Sequence, residues 1–528
     1  MIGRNGQSEW HKVQSEWGQV SRVLALLVGV GVMSMPVAAQ QSAKGATPGS
    51  ASADGWVGLQ QLWSTTQAGG GRLETGVQAA VLPPPGSSSG AVPGAPSAPA
   101  GRKELKELEG SEPVDTLSLE EARRRGFAMS HLLGASQAKS RMATELARAS
   151  YAGVLPSLDL RMARGHEVST PSSRLDENTG APLPWSSQRR KEVYGVLSQP
   201  LFNLGAVADI RRAAAVRKAS ELDEAGVRGD VNYDVTAAFF GVVEASLTLR
   251  LGQEQQSRLE RLGEVVSARA QAGGASGADY ERIRARVLAA QSAVQDAISQ
   301  VNQANITLAR LTGSNAAAVM LPGVGSLPSL GAVDEAVALI AQGNPAVATA
   351  RANEEAARHE RQGALANFSP VVKLELSDTK VLNAGGTAGW KRDQRTMVVM
   401  TMPLLSGGSD YFRQRAFLAK EEQYEAERLQ AERTARQNLQ IAFSGLATAR
   451  QKIESLRQQR QAQERVVSAF DAQLRSTSRN LLDVFDAYQQ YHQSQVELVH
   501  TSVQAVLLGQ QILRVTGRLG DPSAGQGE

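Results

Sequence analysis

Between Leu439 and Leu456, apolar positions recur at alternating spacings of three and four: Leu439, Ala442, Leu446, Ala449, Ile453 and Leu456. Val467, Phe470 and Leu474 resume the rhythm, which is that of a coiled-coil seam. Beyond a short break it continues through Leu481, Phe485, Tyr488, His492, Gln495, Val499, Ser502 and Val506, with polar members that keep the partner face from being uniformly dry. No proline lies between Pro200 and Pro322, or between Pro403 and Pro522, so nothing in the backbone interrupts long helices there. A helix from Ser409 to Leu474 would run on the order of 100 Å at about 1.5 Å per residue. No compact globule needs such a rod.

Two stretches switch to period two. Ser157-Leu158-Asp159-Leu160-Arg161-Met162 and Val372-Lys373-Leu374-Glu375-Leu376 alternate polar with apolar residues, the pattern of strands with one oily and one wet face. Polar loops are expected at about 165–190 and 379–392, each followed by a second strand that leads to Pro200 or Pro403. The four strands fall at about 157–164, 191–199, 370–378 and 394–402. Leu158, Leu160, Met162, Leu374 and Leu376 take one face, and Asp159, Arg161, Lys373 and Glu375 the other. An antiparallel sheet half-buried on a soluble core would show this alternation, and so would membrane strands. In a membrane four strands cannot close by themselves, since the smallest barrels take about eight. Three chains would supply twelve and leave no edge unpaired.

The chain also repeats itself. Pro200-Leu201-Phe202-Asn203-Leu204-Gly205 lies over Pro403-Leu404-Leu405-Ser406-Gly407-Gly408 at an offset of 203, and Leu308 to Gly313 over Ile512 to Gly517 at 204. Leu155-Pro156-Ser157 pairs with Ser369-Pro370-Val371 at 214, which places an insertion nearby. These anchors define two similar halves, 117–322 and 327–517. Each opens with a helix, Leu117 to Gly153 and Leu330 to Asn367, before its pair of strands.

Outside the repeats, Arg22 precedes an apolar run from Val23 to Val37 that ends in Val37-Ala38-Ala39. This reads as a secretory signal over residues 1–39, cleaved after Ala39, with a retained membrane anchor as the alternative. No other window holds 18 consecutive apolar residues, so no helical span is expected in the mature chain. Residues 40–116 carry eight of the 20 prolines, with Pro83-Pro84-Pro85 and Gly86-Ser87-Ser88-Ser89-Gly90, and are expected to form a disordered leader. Trp56, Leu59, Leu62 and Trp63 sit at helical spacing within it, as a short docking helix or as chance clustering. Residues 518–528 are expected to form a flexible C-terminal tail.

Composition removes several function classes. Cysteine is absent from all 528 residues, which excludes disulfides, thiol nucleophiles, Cys-ligated metals and a lipid-anchored N-terminal cysteine. With 56 Lys and Arg against 52 Asp and Glu, charge is near balance and no nucleic-acid partner is indicated. Aromatics at 5% suit long helices more than a large aromatic core. His492 and His500, eight apart, do not have metal-binding spacing, and Gly273-Gly274-Ala275-Ser276-Gly277 has neither the Gly-Lys-Ser/Thr nor the preceding strand of a phosphate loop. No cofactor, metal or catalytic residue is expected, and the chain does not read as an enzyme.

A signal peptide, a tandem repeat, two amphipathic hairpins and very long helices together resemble the TolC family of outer-membrane channel proteins. Leu119-Glu120-Glu121-Ala122 resembles that family's Leu-x-Glu-Ala opening, and Gly153-Val154-Leu155-Pro156-Ser157-Leu158 its junction into the first strand. Ser198-Gln199-Pro200-Leu201-Phe202 and Thr401-Met402-Pro403-Leu404-Leu405 resemble its strand-to-helix junctions, marked by Pro200, Gly205, Pro403 and Gly408. Arg479-Asn480-Leu481-Leu482-Asp483-Val484-Phe485-Asp486-Ala487 is similar to its periplasmic-tip signature.

The resemblance covers about 117–517 and implies a mainly α fold with transmembrane β. Each chain would give four strands to a 12-stranded outer-membrane barrel of a homotrimer, continued by a coiled-coil helical barrel in the periplasm of a Gram-negative cell. The implied partners are a periplasmic adaptor, an inner-membrane ABC or proton-driven transporter, and outer-membrane lipid. The implied cargo is an unfolded protein, as in type I secretion, or small toxic molecules, as in efflux; the missing lipid anchor tilts the expectation slightly towards secretion. Asp483 and Asp486, three apart on one helix face, match the family's aperture aspartates, Arg479 its gate arginine, and Asp279 the acidic partner of that arginine. Ala278 and Leu474 stand where a hydroxyl residue and a gate tyrosine would be, so a loosely latched tip is expected. A periplasmic adaptor or a coiled-coil envelope scaffold without channel activity would share the long helices, yet neither needs repeated amphipathic strand pairs.

Overall fold

The computed structural model describes residues 72–74, 113–114, 116–170, 175–176, 178–181, 186–272, 276–316, 318–320, 336–338, 340, 343–385, 389–473 and 481–519. All belong to one unit, Ser50–Glu528. The expected signal peptide, the possible docking helix and Arg479 lie outside the described residues.

Each half runs through the same series. The first comprises α1 (Leu119–Met129), α2 (His131–Ser150), β1 (Ser157–Ser169), β2 (Ser186–Phe202), α3 (Leu204–Gln271) and α4 (Gly277–Thr312). The second comprises α5 (Pro345–Ala366), β3 (Val371–Leu382), β4 (Trp390–Thr401), α6 (Ser409–Gln473) and α7 (Leu481–Val515). The long helices match in length, 68 residues in α3 against 65 in α6, and so do their successors, 36 against 35. At about 1.5 Å per residue α3 and α6 each extend about 100 Å.

The ends of the halves repeat in atomic detail. Gly313 and Gly517 both take left-handed φ values, 65° and 73°, directly after α4 and just beyond α7. Thr312 and Thr516 each donate a hydroxyl to the carbonyl four residues back, at 2.8 and 2.9 Å. A left-handed C-terminal residue satisfies carbonyls that the helix leaves unpaired. At Gly517 there is a second demand, since a Cβ there would overlap the backbone carbonyl of Gly343.

The opening helices depart from expectation. Leu117 to Gly153 is broken at Ser130, whose backbone is extended (φ −73°, ψ 104°) and whose Oγ accepts the Leu133 N–H at 3.2 Å. A serine that caps the next turn breaks a helix without glycine or proline. In the second half Asn344 caps α5 by accepting the Val347 N–H at 2.9 Å, with Pro345 at the first helical position. Upstream of it, 336–338, 340 and 343 are helical.

The strands are longer than the alternation implies, at 13, 17, 12 and 12 residues. Residues 165–169, 186–190, 379–382 and 390–392, expected in polar loops, continue the ladders. Backbone pairing continues where both faces turn polar, and there the period-two signal fades. Two short pieces of the expected leader are strands as well. Arg72–Glu74 pairs antiparallel with Ala318–Met320, and Pro113–Val114 pairs parallel with Asn315–Ala316. Main-chain pairing of this kind requires no apolar periodicity.

The core joins the halves. Leu439, Ala442, Leu446, Ala449, Ile453 and Leu456 of the α6 seam are all buried, as are Phe485, Tyr488, Gln495, Val499, Ser502 and Val506 of α7, while His492 is half-buried. The α6 seam, with Val499 and Val506, meets Val235, Phe239, Phe240, Val242 and Val243 of α3, where the two phenylalanine rings pack edge to face at 5.7 Å. α3 contains a window apolar enough to cross a membrane, with mean hydropathy 1.3, but 61% of that window is buried, so its apolarity serves this core.

Candidate functional site

The four hydrogen-bonded strands form one antiparallel sheet in the order β1-β2-β3-β4. The register assigns every strand residue to a face. Leu158 pairs with Leu197, Leu197 with Leu376, and Leu376 with Thr396; Leu374 pairs with Val398 and Val372 with Met400. With Leu160, Met162 and Val193 these make one apolar band, and Leu158, Leu160, Met162, Val398 and Met400 on it are exposed. The opposite face carries Asp159, Arg161, Lys373 and Glu375, as the alternation requires. Three of its cations are paired: Arg190 bridges Glu167 (2.5 Å) and Glu192 (3.2 Å), Lys373 bridges Glu375 (2.6 Å), and Arg395 bridges Asp393 (2.6 Å). β1 and β4 each leave one edge without a strand partner among the described residues.

At the foot of the sheet the two strand-to-helix junctions differ. Pro200 lies within β2 beside a register shift between Pro200 and Phe202, the kind of irregularity at which a strand tolerates a residue without an N–H. Asn203 then caps α3 by accepting the Ala206 N–H at 3.0 Å, and Gly205 sits in the first helical turn. Pro403 follows β4, and Gly407 and Gly408 turn the chain into α6 with left-handed φ values of 62° and 80°. Aligned by the repeat, Gly205 and Gly408 therefore do different work. Leu404 and Leu405 are 87% and 91% exposed, so the junction presents an apolar collar in the single chain.

At the far end of the long helices, the α3/α4 and α6/α7 hairpins meet in a second cluster. Leu259, Leu262, Val266, Ile283 and Val467 pack there against Val484, Phe485, Tyr488 and Tyr491 of α7. Two cations cap it from the first half: the Arg286 guanidinium lies 4.4 Å from the centre of the Phe485 ring, and Arg258 lies 5.0 Å from that of Tyr491. Tyr488 donates its hydroxyl to the Asp471 carboxylate. Burial pushes the Tyr488 and Tyr491 phenols up, and Asp471 adds to the effect at Tyr488. Burial, with Arg258 nearby, holds His492 below the usual imidazole range.

Because α7 buries Val484, Phe485 and Tyr488, Asp483 and Asp486 fall on its exposed side. Asp279 is engaged at the start of α4: its N–H donates to Ser276 Oγ at 3.2 Å, that hydroxyl donates to its carboxylate at 2.8 Å, and Arg282 lies 3.7 Å away. Ser276 thus places a hydroxyl beside Asp279, where Ala278 has none. Leu474, like Arg479, lies outside the described residues, so of the expected aperture and gate residues Asp279, Asp483 and Asp486 can be placed. Tyr488, Asp471, Arg258 and Arg286 were not singled out for the tip from sequence, since partners 17 to more than 200 residues apart share no local signal.

Sequence comparison with known families decides the larger question. The family described as Outer membrane efflux protein matches residues 127–314 and again residues 336–518. The chain belongs to the outer membrane efflux protein family. The double match coincides with the tandem repeat, and this family is one of channels rather than enzymes. The fold is that of solved outer-membrane channels. The OprN channel superposes with a TM-score of 0.66 at 16% identity, over 76% of this chain and 91% of that one. VceC from Vibrio cholerae gives 0.63 at 17% identity, over 76% and 96%. CmeC from Campylobacter jejuni gives 0.63 at 14%, over 86% and 97%. No curated protein matches the chain by sequence. The TolC resemblance and the mixed helical and β-barrel fold class both hold for this member of the outer membrane efflux protein family.

Proposed function

We propose that three copies of the chain close their sheets into one 12-stranded barrel in the outer membrane of a Gram-negative cell, with the helices forming a periplasmic tunnel. The observation that carries this reading is the sheet itself. It has an apolar face, a charged face and, among the described residues, two open edges. In hydrocarbon an open edge leaves backbone groups unsatisfied at several kcal/mol each, and closure with other copies removes both edges. The exposed Leu132, Met142 and Leu146 of α2 and Ile441 of α6 supply further apolar surface for neighbouring copies to cover.

The duct serves a tripartite exporter. A periplasmic adaptor and an inner-membrane transporter, ABC or proton-driven, load it at the tip. Family membership supports efflux of small toxic molecules; export of an unfolded protein is the alternative. Around the trimer axis Asp483 and Asp486 form two carboxylate rings that favour cations in the aperture. Arg479 ties its turn to Asp279 of a neighbouring hairpin, and the tip is latched loosely because Ala278 and Leu474 replace two family contacts.

Single-channel recording on purified trimers tests this. The expected results are a cation-selective pore, loss of that selectivity in Asp483→Asn/Asp486→Asn, and a higher open fraction in Arg479→Ala. A pore unaffected by all three substitutions would remove the tip assignment. A protein that fractionates as a soluble periplasmic monomer would remove the channel reading.

A further inference from the structure

The two faces of the sheet treat charge differently. On the inward face Arg161, Arg190, Lys373, Lys391 and Arg395 are matched by as many carboxylates. On the face that bears the apolar band, Arg164, Arg189, Lys191, Lys380 and Arg392 share a single carboxylate, Asp378, which Arg392 occupies with both arms at 3.0 and 2.6 Å. All five cations are exposed. Among the described residues no carboxylate lies within ion-pair distance of Arg164, Arg189, Lys191 or Lys380.

The register makes this arrangement costly. Arg164 stands directly opposite Lys191, and Lys380 directly opposite Arg392. Like charges paired across antiparallel strands destabilise a sheet unless something neutralises them. The cations sit immediately beyond the band, Arg164 two residues past Met162 and Lys191 two residues before Val193, on the side away from the helices. The Lys380 ammonium lies 5.1 Å from the centre of the Trp390 ring on the same face. Tryptophan beside lysine is the chemistry of a membrane interface, where an amphipathic ring meets headgroups. Strand β1 then runs seven residues past Met162 to Ser169, roughly 23 Å at about 3.3 Å per residue. A polar wall of that height suits a tall saccharide headgroup better than a thin glycerophosphate layer.

We propose that this belt binds the phosphates of a phosphorylated glycolipid in the outer leaflet, which neutralises the opposed cations and fixes the barrel's depth. The inference rests on the outward orientation of the apolar band in the trimeric barrel. Purified trimers are titrated in zwitterionic detergent with mixed micelles holding bisphosphoryl lipid A, its dephosphorylated form or phosphatidylglycerol, and retained lipid is counted by native mass spectrometry. The wild type should retain bisphosphoryl lipid A in preference to both others. The variant Arg164→Gln/Arg189→Gln/Lys191→Gln/Lys380→Gln should lose it about tenfold or more, since each cation near an anionic surface contributes measurably. The inward-face control Arg161→Gln/Lys391→Gln should retain it. If the fourfold variant does not assemble, Lys191→Gln/Lys380→Gln should still show about a threefold loss. Equal retention of the dephosphorylated lipid, or undiminished binding in the variants, overturns the inference. Single-channel conductance on the same samples separates the two layers. A conducting wild type that retains no lipid A removes the belt alone, whereas a wild type with neither trimers nor conductance removes the channel reading and the belt with it.

Discussion

Tyr488 donates its hydroxyl to Asp471 across the α6/α7 hairpin, joining residues 17 apart in sequence beside the buried cluster at the tip end of the helices. Burial and that carboxylate favour the neutral phenol and raise its pKa. A raised pKa means the contribution is complete below the ordinary phenol range of about 10 and is lost as pH rises through the folded value. The latch therefore holds throughout physiological pH. Tyr488→Phe should cost about 1.5–3 kcal/mol, the usual range for a hydrogen bond to a charged group. Thermal unfolding followed by circular dichroism checks this, with Asp471→Asn giving a similar loss and the double variant little more. Additive losses would show that the two side chains act separately.

His492 couples the same region to acid. Its imidazole is half-buried on α7, with Arg258 of α3 nearby, and both depress its pKa. A depressed histidine means the unfolded chain takes up a proton that the folded chain refuses, so stability falls as pH drops below the ordinary value of about 6.5. Thermal unfolding between pH 7 and pH 5 should show a smaller acid loss in His492→Gln than in the wild type. An identical slope in the two proteins would assign the acid sensitivity elsewhere.

The sheet faces have opposite tolerances. Leu160→Arg places a cation in the middle of the apolar band, where insertion costs about 2–4 kcal/mol at the midplane of a membrane barrel. Heat-resistant trimers should disappear from outer-membrane fractions in that variant and persist in Arg161→Gln, one residue away on the other face. The reverse pattern would turn the sheet inside out.

Helix positions were legible because one physical signal governs them. The seam from Leu439 to Leu456 is buried throughout, and the α6 expected from Ser409 to Leu474 spans Ser409–Gln473. The break at Ser130 was not legible, because a serine cap uses a residue equally at home inside a helix. The upper strands were hidden for a related reason. From Arg164 to Glu167 and from Arg189 to Glu192 polar residues occupy both faces, so pairing continues without alternation. At the tip, Asp483 and Asp486 are both exposed on α7 at the three-residue spacing visible in the sequence, while the cation and ring contacts from Arg258 and Arg286 join separate hairpins and leave no mark in local sequence.

Gly517 tests the repeat's boundary. Its left-handed φ of 73° strains any other residue, and a Cβ there meets the backbone of Gly343 rather than a movable side chain. Gly517→Ala should lower stability by about 1–3 kcal/mol from the backbone conformation alone. Gly313→Ala, at the matching cap, would press on the flexible Met129 side chain and should be the milder change by thermal unfolding. Equal effects would show that the Gly343 contact carries no cost of its own.

Closure of three sheets into one barrel is the claim on which the rest depends, and the absence of cysteine makes it directly measurable. Within one chain β1 and β4 are three strand spacings apart, about 14 Å, beyond the reach of a disulfide. Paired cysteines are placed on the inward face, one at Asp159 or Arg161 of β1 and one at Asp393, Arg395 or Met397 of β4, in every combination. Outer membranes are then oxidised and run on denaturing, non-reducing gels. The account requires that at least one combination yield a covalent trimer as the largest product, because β1 of each copy lies beside β4 of the next. Monomers alone across all combinations, or ladders that extend beyond three, would contradict it.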